Sequence, residues 1–355
     1  MTENYELKIR ENVPLAPMTT LKIGGAARFF VSAKNETQVI EAVRFARENS
    51  LEIFVLGGGS NVLISDRGFG GLVLQIALKG ISASQAAGET VYVTAQAGED
   101  WDGFVRFCVE KNLAGVECLS GIPGFVGGTP VQNVGAYGQE VSETIISVRA
   151  FDRKKNQIIE LTDAQCGFAY RASIFNTIEI NRYVILVVTY ALKYGGAPKI
   201  VYRDLQNFFG DTKPDLAETR AAVLKIRAEK SMVIDAGDPN SRSAGSFFKN
   251  PVVDKTGFAK VVEKAKALGI EEVPHFSVDA ASVKIPAAWL IEKSGFQKGF
   301  SLRNAGLSTR HTLAIVNTGG ANAADILNLK DEIQSRVKEN FGVSLSPEPI
   351  FVGFD

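Results

Sequence analysis

The chain has 355 residues, of which 45% are hydrophobic and 22% charged, and its formal net charge is zero. This length allows two or three domains with hydrophobic cores, and the composition excludes an intrinsically disordered protein. Lysine and arginine form no long runs, so neither nucleic acid nor an anionic membrane surface is an expected partner. Any anion that the protein binds must be held by a local site.

The first residues, MTENYELKIRENVPLAPM, show no cationic start followed by an apolar block, and no later window approaches the ~20 apolar residues of a membrane helix. We therefore expect a cytoplasmic protein without a membrane partner. The cysteines lack metal-ligand spacing, and the chain has only two histidines. We expect Cys108, Cys118 and Cys166 to be reduced, buried thiols, and we expect no metal site.

The first predicted elements form a βαβ-like unit. Residues 27–33 (ARFFVSA) are rich in residues that favour strands, and residues 35–50 follow with apolar side chains at helical spacing after Asn35 as the N-cap. Residues 51–65 (LEIFVLGGGSNVLIS) predict a strand, a glycine turn and a second strand.

Between about residues 71 and 195 the pattern becomes β-rich, with one helix near 100–112 and one glycine-rich stretch. The predicted strands are LVLQI, TVYVTAQAG, ISVRAFD, QIIELT and YVILVVTYAL. This pattern predicts an α+β domain with a sheet of mixed direction.

After Pro214, LAETRAAVLKIRAEKS predicts a helix, and a domain boundary is expected near residue 228. Beyond it, VVEKAKALG, AAWLIEKSG and Ala323–Phe341 predict helices, whereas LAIVNTG and PIFVGFD predict strands.

Two glycine clusters leave backbone unhindered by side chains. Leu56–Ile64 (LGGGSNVLI) follows an apolar strand, and Gly121–Gly138 (GIPGFVGGTPVQNVGAYG) carries no charge. Neither matches the GxGxxG or GxxxxGK[ST] fingerprints, so another phosphate-binding architecture is required. Unhindered N–H groups can hold phosphate oxygens, and Gln132, Asn133 and Tyr137 suit a ring system with polar edges. The alternative is a pair of tight turns.

Ser246 follows small residues and precedes two phenylalanines in Ser243–Pro251 (SAGSFFKNP), where it is either a catalytic hydroxyl or an ordinary surface serine. The segment Ser246–Lys249 also matches SxxK, and Lys255–Gly257 matches KTG, as in penicillin-recognising acyl transferases. The two motifs lie only a few residues apart here, and the intervening serine-bearing motif is missing. An acyl transferase is therefore a distant alternative.

Other polar side chains occupy notable positions. Arg171, among apolar and aromatic neighbours, must be paired, either with a ligand carboxylate or phosphate or in a structural ion pair. Glu348 lies between two prolines and is either functional or a solvated turn carboxylate. Arg227 and Lys230 share a helix face, where they either bind an anion or complement the helix dipole. Tyr202 alone would be an ordinary loop tyrosine.

The stretches TTLKIGGAARFF, LGGGSNVL, GVECLSGIPGFVGGTPVQNVGAYGQE, FAYRASIF, AGSFFKNP and the terminal PE occur in this order. In order and spacing the chain closely resembles the UDP-N-acetylenolpyruvoylglucosamine reductases, flavoenzymes that complete UDP-N-acetylmuramate in bacterial peptidoglycan synthesis. The resemblance covers nearly the whole chain.

The resemblance implies an α+β fold, in which a two-subdomain FAD-binding region of the vanillyl-alcohol oxidase (PCMH) type precedes a smaller α+β substrate-binding domain. Residues 1–228 and 342–355 would form the FAD-binding region, with a core at about 17–195, and residues 229–341 the substrate-binding domain. Non-covalent FAD would lie against the glycine clusters. The implied contacts are Gly57, Gly58, Gly59, Ser60, Asn61, Val62, Ser120, Gly121, Ile122, Pro123, Gly127, Gln132, Asn133, Ala136 and Tyr137.

The resemblance further implies ping-pong turnover, in which NADPH reduces the flavin and leaves before UDP-N-acetylglucosamine enolpyruvate enters. Arg171 would hold the substrate carboxylate with help from Glu348, and Ser246 would deliver a proton to C2. The UDP moiety would contact Tyr202, Arg227, Lys230 and Asn250. The Tyr202 loop resembles the longer of the two family types, Lys293 has no implied role, and relatives imply a monomer.

Other classes of protein remain as alternatives. A flavin-dependent oxidase of another substrate would react rapidly with oxygen and would often carry FAD linked covalently to a histidine or cysteine. Residues 1–200 contain no histidine, which argues against a histidyl link, whereas a cysteinyl link stays open. A serine acyl transferase would be colourless and would be labelled by a β-lactam at Ser246. A non-catalytic nucleotide-binding module would hold ligand yet ignore NADPH.

Overall fold

A computed structural model describes residues 7–354; residues 1–6, which begin the N-terminal stretch considered above, and residue 355 lie outside the described residues. The described chain divides into two compact units. The first contains the described part of Met1–Val13, Ala26–Gly59 and Phe69–Val233. The second contains Pro14–Gly25, Ser60–Gly68 and the described part of Ile234–Asp355.

Both units combine helices and strands, as an α+β fold requires. The helices are α1 (Glu36–Glu48), α2 (Trp101–Glu110), α3 (Asp163–Cys166), α4 (Arg203–Phe209), α5 (Leu216–Glu229), α6 (Lys255–Ala267), α7 (Ala287–Lys293) and α8 (Ala323–Phe341). The strands are β1 (Arg10–Pro14), β2 (Ala26–Ala33), β3 (Ile53–Leu56), β4 (Val62–Ile64), β5 (Phe69–Ile76), β6 (Ile81–Gln85), β7 (Thr90–Gln96), β8 (Leu113–Ala114), β9 (Gly135–Ala136), β10 (Gln139–Glu140), β11 (Ile145–Asp152), β12 (Gln157–Thr162), β13 (Tyr183–Tyr194), β14 (Val252–Asp254), β15 (Phe276–Ser277), β16 (Ser282–Lys284), β17 (Ser301–Leu302), β18 (Ala305–Leu307), β19 (Ile315–Asn317) and β20 (Ile350–Val352).

The first unit contains a four-stranded sheet in the order β1-β2-β5-β3. Strands β2 and β3 both run parallel to β5, which lies between them. Helix α1 connects β2 to β3, and its N-cap is Asn35, whose side chain accepts the N–H of Gln38. The predicted βαβ-like unit is therefore confirmed, with β5 inserted between its two strands.

A second sheet in the same unit has the order β12-β11-β13-β7-β6, with β8 pairing at one end of β13. All of these pairings are antiparallel. The prediction of one sheet of mixed direction was wrong in this respect, because the predicted strand LVLQI is part of β5, which pairs in parallel with β2 and β3 in the other sheet. Burial of one face of β13 against α2 places Tyr190 in ring contact with Trp101 and Phe104.

The second unit surrounds helix α8, whose apolar stripe is buried as the sequence pattern predicts. Ile326, Ile333, Val337 and Phe341 are each at most 1% exposed. Its strands form the sheets β14-β16-β15 and β17-β18-β19 and the parallel pair β20-β4. Asp66 accepts the N–H of Ala323 at 2.8 Å, which satisfies a donor at the first turn of α8.

The division of the chain into compact units differs from the predicted domains in two respects. The boundary after Val233 lies close to the expected position near 228, but residues 342–354 belong with the second unit. The physical reason is backbone pairing, since β20 pairs with β4 and both belong to this unit. Two early segments, Pro14–Gly25 and Ser60–Gly68, also belong to it.

All three cysteines are buried and free, as predicted. Within residues 7–354, no helix has the length and apolarity to span a membrane. The same residues contain no group of three or more His, Cys, Asp or Glu side chains that could hold a metal ion.

Candidate active site

The two glycine clusters meet in the first unit. A Cβ atom placed on Gly58 would lie 2.7 Å from Cα of Gly124, far inside van der Waals contact. The turn after β3 and the glycine-rich stretch therefore pack backbone against backbone. Glycine at position 58 is thus required by the packing of the protein itself.

Gly57 is different, because neither packing nor backbone conformation requires a glycine there. No heavy atom outside its immediate neighbours lies within 4 Å of a Cβ placed on Gly57, and its φ is not in the left-handed region. The packing of the described residues therefore does not explain this glycine, whereas a ligand lying against the backbone would. The open space at Gly57 fits the flat, phosphate-bearing cofactor that the sequence implies.

The turn at Gly121 is held by a charged pair. The N–H of Gly121 donates to Oδ1 of Asp102 at 2.6 Å, and Arg220 binds both carboxylate oxygens of Asp102, at 2.6 and 2.7 Å. Burial raises the pKa of Asp102, but the hydrogen bonds from Arg220 and Gly121 outweigh it and hold the pKa below its usual range. Helices α2 and α5 thereby fix the turn from two sides.

Two residues that were predicted to contact the cofactor, Ser120 and Asn133, form hydrogen bonds with other residues of the protein through their side chains. The buried Ser120 hydroxyl donates to the carbonyl of Glu117 at 2.6 Å. The Asn133 amide donates to Glu140 and to the carbonyl of Ala169, and it accepts the N–H of Ser142. These side chains shape the glycine-rich stretch, so any contact that they make with a cofactor is additional to this role.

The other predicted cofactor contacts divide between the units. Ile122, Pro123, Gly127, Gln132, Ala136 and Tyr137 belong to the first unit with Gly57, Gly58 and Gly59. Ser60, Asn61 and Val62 belong to the second unit, where Val62 begins β4. Asn61 donates from Nδ2 to the carbonyl of Glu348 at 3.3 Å.

Two tyrosines and two cations form a cluster in the first unit. The rings of Tyr137 and Tyr202 meet edge to face, with centroids 5.4 Å apart. Arg227 interacts with the Tyr137 hydroxyl and donates from Nη2 to the carbonyl of Met232 at 2.7 Å. Lys230, at the C-terminal end of α5, donates to Oδ2 of Asp204 at 2.6 Å. The structure therefore brings together three of the four residues predicted to contact UDP.

The electrostatics of this cluster favour an anion. Among the described residues, no carboxylate forms a salt bridge with Arg227, and its buried Nε has no hydrogen-bond partner. Burial lowers the pKa of Arg227 and raises that of Tyr137. Burial also lowers the pKa of Lys230, but Asp204 and Tyr137 outweigh this and the net shift is upward. A buried guanidinium without a carboxylate is suited to phosphate oxygens.

Arg171 is held in a strained conformation in the same unit. Its φ is +53°, in the left-handed region that costs a non-glycine residue about 1–3 kcal/mol. Its Nη2 donates to the carbonyl of Gly135 at 2.7 Å, and the guanidinium lies over the Tyr170 ring at 5.3 Å. Such strain persists where the surrounding structure fixes it, and it is common in functional sites.

Ser246 and Glu348 lie on paired segments of the second unit. Glu348 donates its N–H to the carbonyl of Phe247 at 2.9 Å, and Lys249 donates its N–H to the carbonyl of Ser346, also at 2.9 Å. The neighbouring Phe247 is fully buried, so Ser246 extends from a fixed backbone. These pairings bring together two residues that lie about one hundred positions apart in the sequence.

Three other positions bear on the sequence predictions. Asn250 accepts the N–H of Ala287 at 2.8 Å and so supports the start of α7, a role that the sequence reading missed. Lys293 ends α7, where a cation complements the helix dipole. Lys255, the first residue of the KTG match, begins helix α6 rather than lying on a strand. This placement argues against the acyl transferase alternative.

The sequence reading also missed two acidic residues. Asp102 and Asp204 carry no motif, and their cationic partners Arg220 and Lys230 lie 118 and 26 residues away. The only available signal for Asp204 was its position two residues after Tyr202.

Comparison with known proteins identifies two matching families. The model of an FAD-binding domain family matches residues 27–162, and that of the UDP-N-acetylenolpyruvoylglucosamine reductase C-terminal domain matches residues 238–352. Together with the mixed helix and strand content, these matches confirm the predicted order of an FAD-binding region followed by a second α+β domain.

Relatives that match nearly the whole chain are reductases of the same name as the second family. A UDP-N-acetylenolpyruvoylglucosamine reductase of Thermobifida fusca is 44% identical over 348 residues, covering 96% of this chain and 97% of the relative. One of Streptomyces coelicolor is 44% identical over 349 residues, covering 96% and 90%. The crystal structure of such a reductase from Thermus caldophilus covers 98% of this chain and 100% of its own, with 24% identity and a TM-score of 0.66, and so shares the fold.

The resemblance found in the sequence motifs is thereby confirmed, as is FAD as the cofactor. The chain belongs to the UDP-N-acetylenolpyruvoylglucosamine reductase family and is an FAD-binding oxidoreductase.

Proposed function

We propose that this protein uses NADPH to reduce UDP-N-acetylglucosamine enolpyruvate to UDP-N-acetylmuramate in the cytoplasm. The observation that carries the proposal is the cluster of Tyr137, Tyr202, Arg227 and Lys230, in which a buried guanidinium lacks a carboxylate partner among the described residues. NADPH and the UDP-sugar both carry a diphosphate, so one cationic site with aromatic side chains serves both in turn. This sharing predicts ping-pong turnover.

FAD, when bound, supplies the two-electron redox chemistry that joins NADPH oxidation to reduction of the enolpyruvyl group. Gly57, with open space beside its backbone, would let the cofactor approach closely. Gly58 and Gly121 would keep the flanking turns in place through their own packing. We keep the other residues predicted from the sequence as proposed contacts of the cofactor.

The side chains of this protein would stabilise the negative charge that develops on the substrate and would supply one proton to it. Negative charge develops on the substrate carboxylate and on C2 during reduction, and Arg171 would bind and stabilise it. Glu348 would assist by hydrogen bonding, and its backbone is fixed by the pairing with Phe247. Ser246 would donate the proton that completes C2, a contribution typically worth about 10²–10⁴-fold in rate.

Tyr202, Arg227 and Lys230 would bind the diphosphate, and the presence of Tyr202 next to the cations supports the longer family type. Asn250 would contact the UDP moiety while continuing to support α7. Residues 1–228 with 342–355 remain the proposed FAD-binding region and 229–341 the substrate-binding domain, although the last segment belongs to the second unit. We propose a monomer.

The test is an anaerobic titration of the FAD-loaded protein, first with NADPH and then with the enolpyruvyl UDP-sugar. The flavin absorbance should bleach with NADPH and recover only with the sugar. In the Ser246→Ala variant, bleaching should remain and recovery should slow by at least about 100-fold. Ser346→Ala is the matched control, because this exposed serine uses its backbone carbonyl, not its side chain, in the pairing with Lys249.

The proposal fails if the sugar does not reoxidise the reduced wild-type protein, or if oxygen does so far faster than the sugar. The second outcome would favour the alternative of a flavin-dependent oxidase acting on another substrate.

A further inference from the structure

Asp204 is the one carboxylate that forms an ion pair within the cluster of Tyr137, Tyr202, Arg227 and Lys230, as far as the described residues show. Its Oδ2 lies 2.6 Å from Nζ of Lys230, at the end of α5. Asp204 belongs to the first turn of α4, two residues after Tyr202, which is the N-cap of that helix. The same short helix thus carries the tyrosine that faces the site and the acid that occupies its lysine.

Helix α4 is anchored independently of this ion pair. Leu205 is fully buried and packs in a small core with Ala222, Val223 and Ile226 of α5. Breaking the contact between Asp204 and Lys230 therefore need not release the helix. Only the two charged side chains have to change partners.

The charges of the site favour such a change. Arg227 and Lys230 contribute two positive charges, and Asp204 cancels one of them, whereas the diphosphate of a nucleotide sugar carries two negative charges. A phosphate oxygen bound to Lys230 would lie beside the like-charged Asp204 carboxylate unless that carboxylate moved away. Full charge matching is therefore reached only when Asp204 releases Lys230.

The ion pair is weak enough to be released. The Lys230 and Asp204 side chains are 38% and 34% exposed. Ion pairs of this exposure change an equilibrium constant by about fivefold at most. Charge-assisted hydrogen bonds to a phosphate are stronger than those between neutral groups, and Arg227 adds a second cation for the same ligand.

We propose that Asp204 is an internal anion that occupies Lys230 in the absence of ligand and yields it to a phosphate oxygen of the incoming diphosphate. Asp204 is then a specificity-determining residue that acts through Lys230 and lowers the affinity of the site for anions. It cancels one of the two positive charges of the empty site, and it favours ligands with two negative charges over those with one. The inference rests on the proposed function, since it concerns the same diphosphate site.

The experiment is isothermal titration of the FAD-loaded protein with UDP-N-acetylglucosamine, in the wild type and in Asp204→Asn. The variant should bind about three- to fivefold more tightly at low ionic strength. Its affinity should fall more steeply with added salt, because a site of higher net charge is more strongly screened. In steady-state turnover the KM for the enolpyruvyl UDP-sugar should fall without a fall in kcat.

Two further variants separate this role from a general effect of charge. Asp211→Asn removes an exposed acid just beyond α4 and should leave the affinity unchanged. Lys230→Met should abolish the gain, so that adding Asp204→Asn to it has no further effect. Asp204→Ser replaces the asparagine variant if the latter loses FAD or thermal stability, since serine also removes the charge and suits a helix start.

Unchanged or weaker binding by Asp204→Asn would overturn the inference, and so would an equal gain in Asp211→Asn or a gain that persists without Lys230. These outcomes are distinct from failure of the proposed function, in which the wild-type protein itself would not bind UDP-N-acetylglucosamine or be reoxidised by the enolpyruvyl sugar.

Discussion

Gly57 and Gly58 are adjacent glycines in one turn, yet the structure predicts opposite consequences for replacing them with alanine. At Gly58 the added methyl group would lie 2.7 Å from Cα of Gly124 and 3.1 Å from its carbonyl carbon. Neither backbone can move without disturbing the glycine-rich stretch. Overpacking of this kind costs about 1–3 kcal/mol, so Gly58→Ala should destabilise the protein with or without cofactor.

At Gly57 the added methyl group meets nothing in the protein, and its backbone conformation suits alanine. The free energy of unfolding of the cofactor-free protein should be unchanged or raised by about 0.4–1 kcal/mol, because alanine restricts the unfolded chain. If FAD lies against this backbone, the same methyl group collides with the cofactor. A collision costing ~1.4 kcal/mol would weaken FAD binding about tenfold.

The assay uses protein from which FAD has been removed. Thermal unfolding measures the stability of each cofactor-free variant, and quenching of flavin fluorescence during titration measures the dissociation constant for FAD. The reasoning about the cofactor site is refuted if Gly57→Ala binds FAD as tightly as the wild type. The reasoning about packing is refuted if Gly58→Ala unfolds at the wild-type temperature.

Other substitutions test other parts of the site. Asp102→Asn should cost about 1–2 kcal/mol near pH 7 by weakening the contacts with Arg220 and Gly121, and its stability should converge with that of the wild type below about pH 4 in acid titrations. The sign follows because a lowered folded-state pKa stabilises the protein above the unfolded pKa, and that stability is lost as pH falls through the folded value. Gly135→Ala should raise the KM for the enolpyruvyl sugar about tenfold in steady-state assays, because its methyl group would lie 2.7 Å from Cγ of Glu140, 3.0 Å from the carbonyl oxygen of Gln139 and 3.1 Å from Nη1 of Arg171, and would displace the Arg171 guanidinium; an unchanged KM would contradict this. The three cysteines should react with a thiol reagent only after unfolding, because burial raises the pKa of each thiol, and rapid labelling of the native protein would contradict this.

The elements that the sequence predicts well are those specified by local patterns. Helix α8 has the predicted bounds Ala323–Phe341, because its apolar residues recur at helical spacing and Asn322 and Gly342 suit its ends. The cap at Asn35 and the strand before Gly57 are equally local. Motif resemblance added what local patterns do not contain, namely the cofactor and the family.

Features that depend on contacts between distant residues were not predicted. The pairing of β4 with β20 and the transfer of residues 342–354 to the second unit involve strands of only three residues each, which carry no sequence signal of their partner. The ion-pair partners of Asp102 and Asp204 could not be predicted from the sequence either, since an acidic residue on a helix is usually a solvated side chain. The requirement for glycine at position 58 likewise depends on its contact with Gly124, which is distant in the sequence.

The pairing of β4 with β20 also constrains how the protein is made. Asn61, next to β4, hydrogen-bonds to Glu348, which lies 287 residues later in the chain. At about 5–20 residues per second, the ribosome needs roughly 15–60 s to synthesise that interval. During this time β4 and the segment around Leu21, whose carbonyl accepts from Asn317, have no partner strand or side chain from the C-terminal region. The second unit can therefore be completed only after nearly all of the chain has left the ribosome, and an isolated fragment beginning at residue 234 would lack part of its own core.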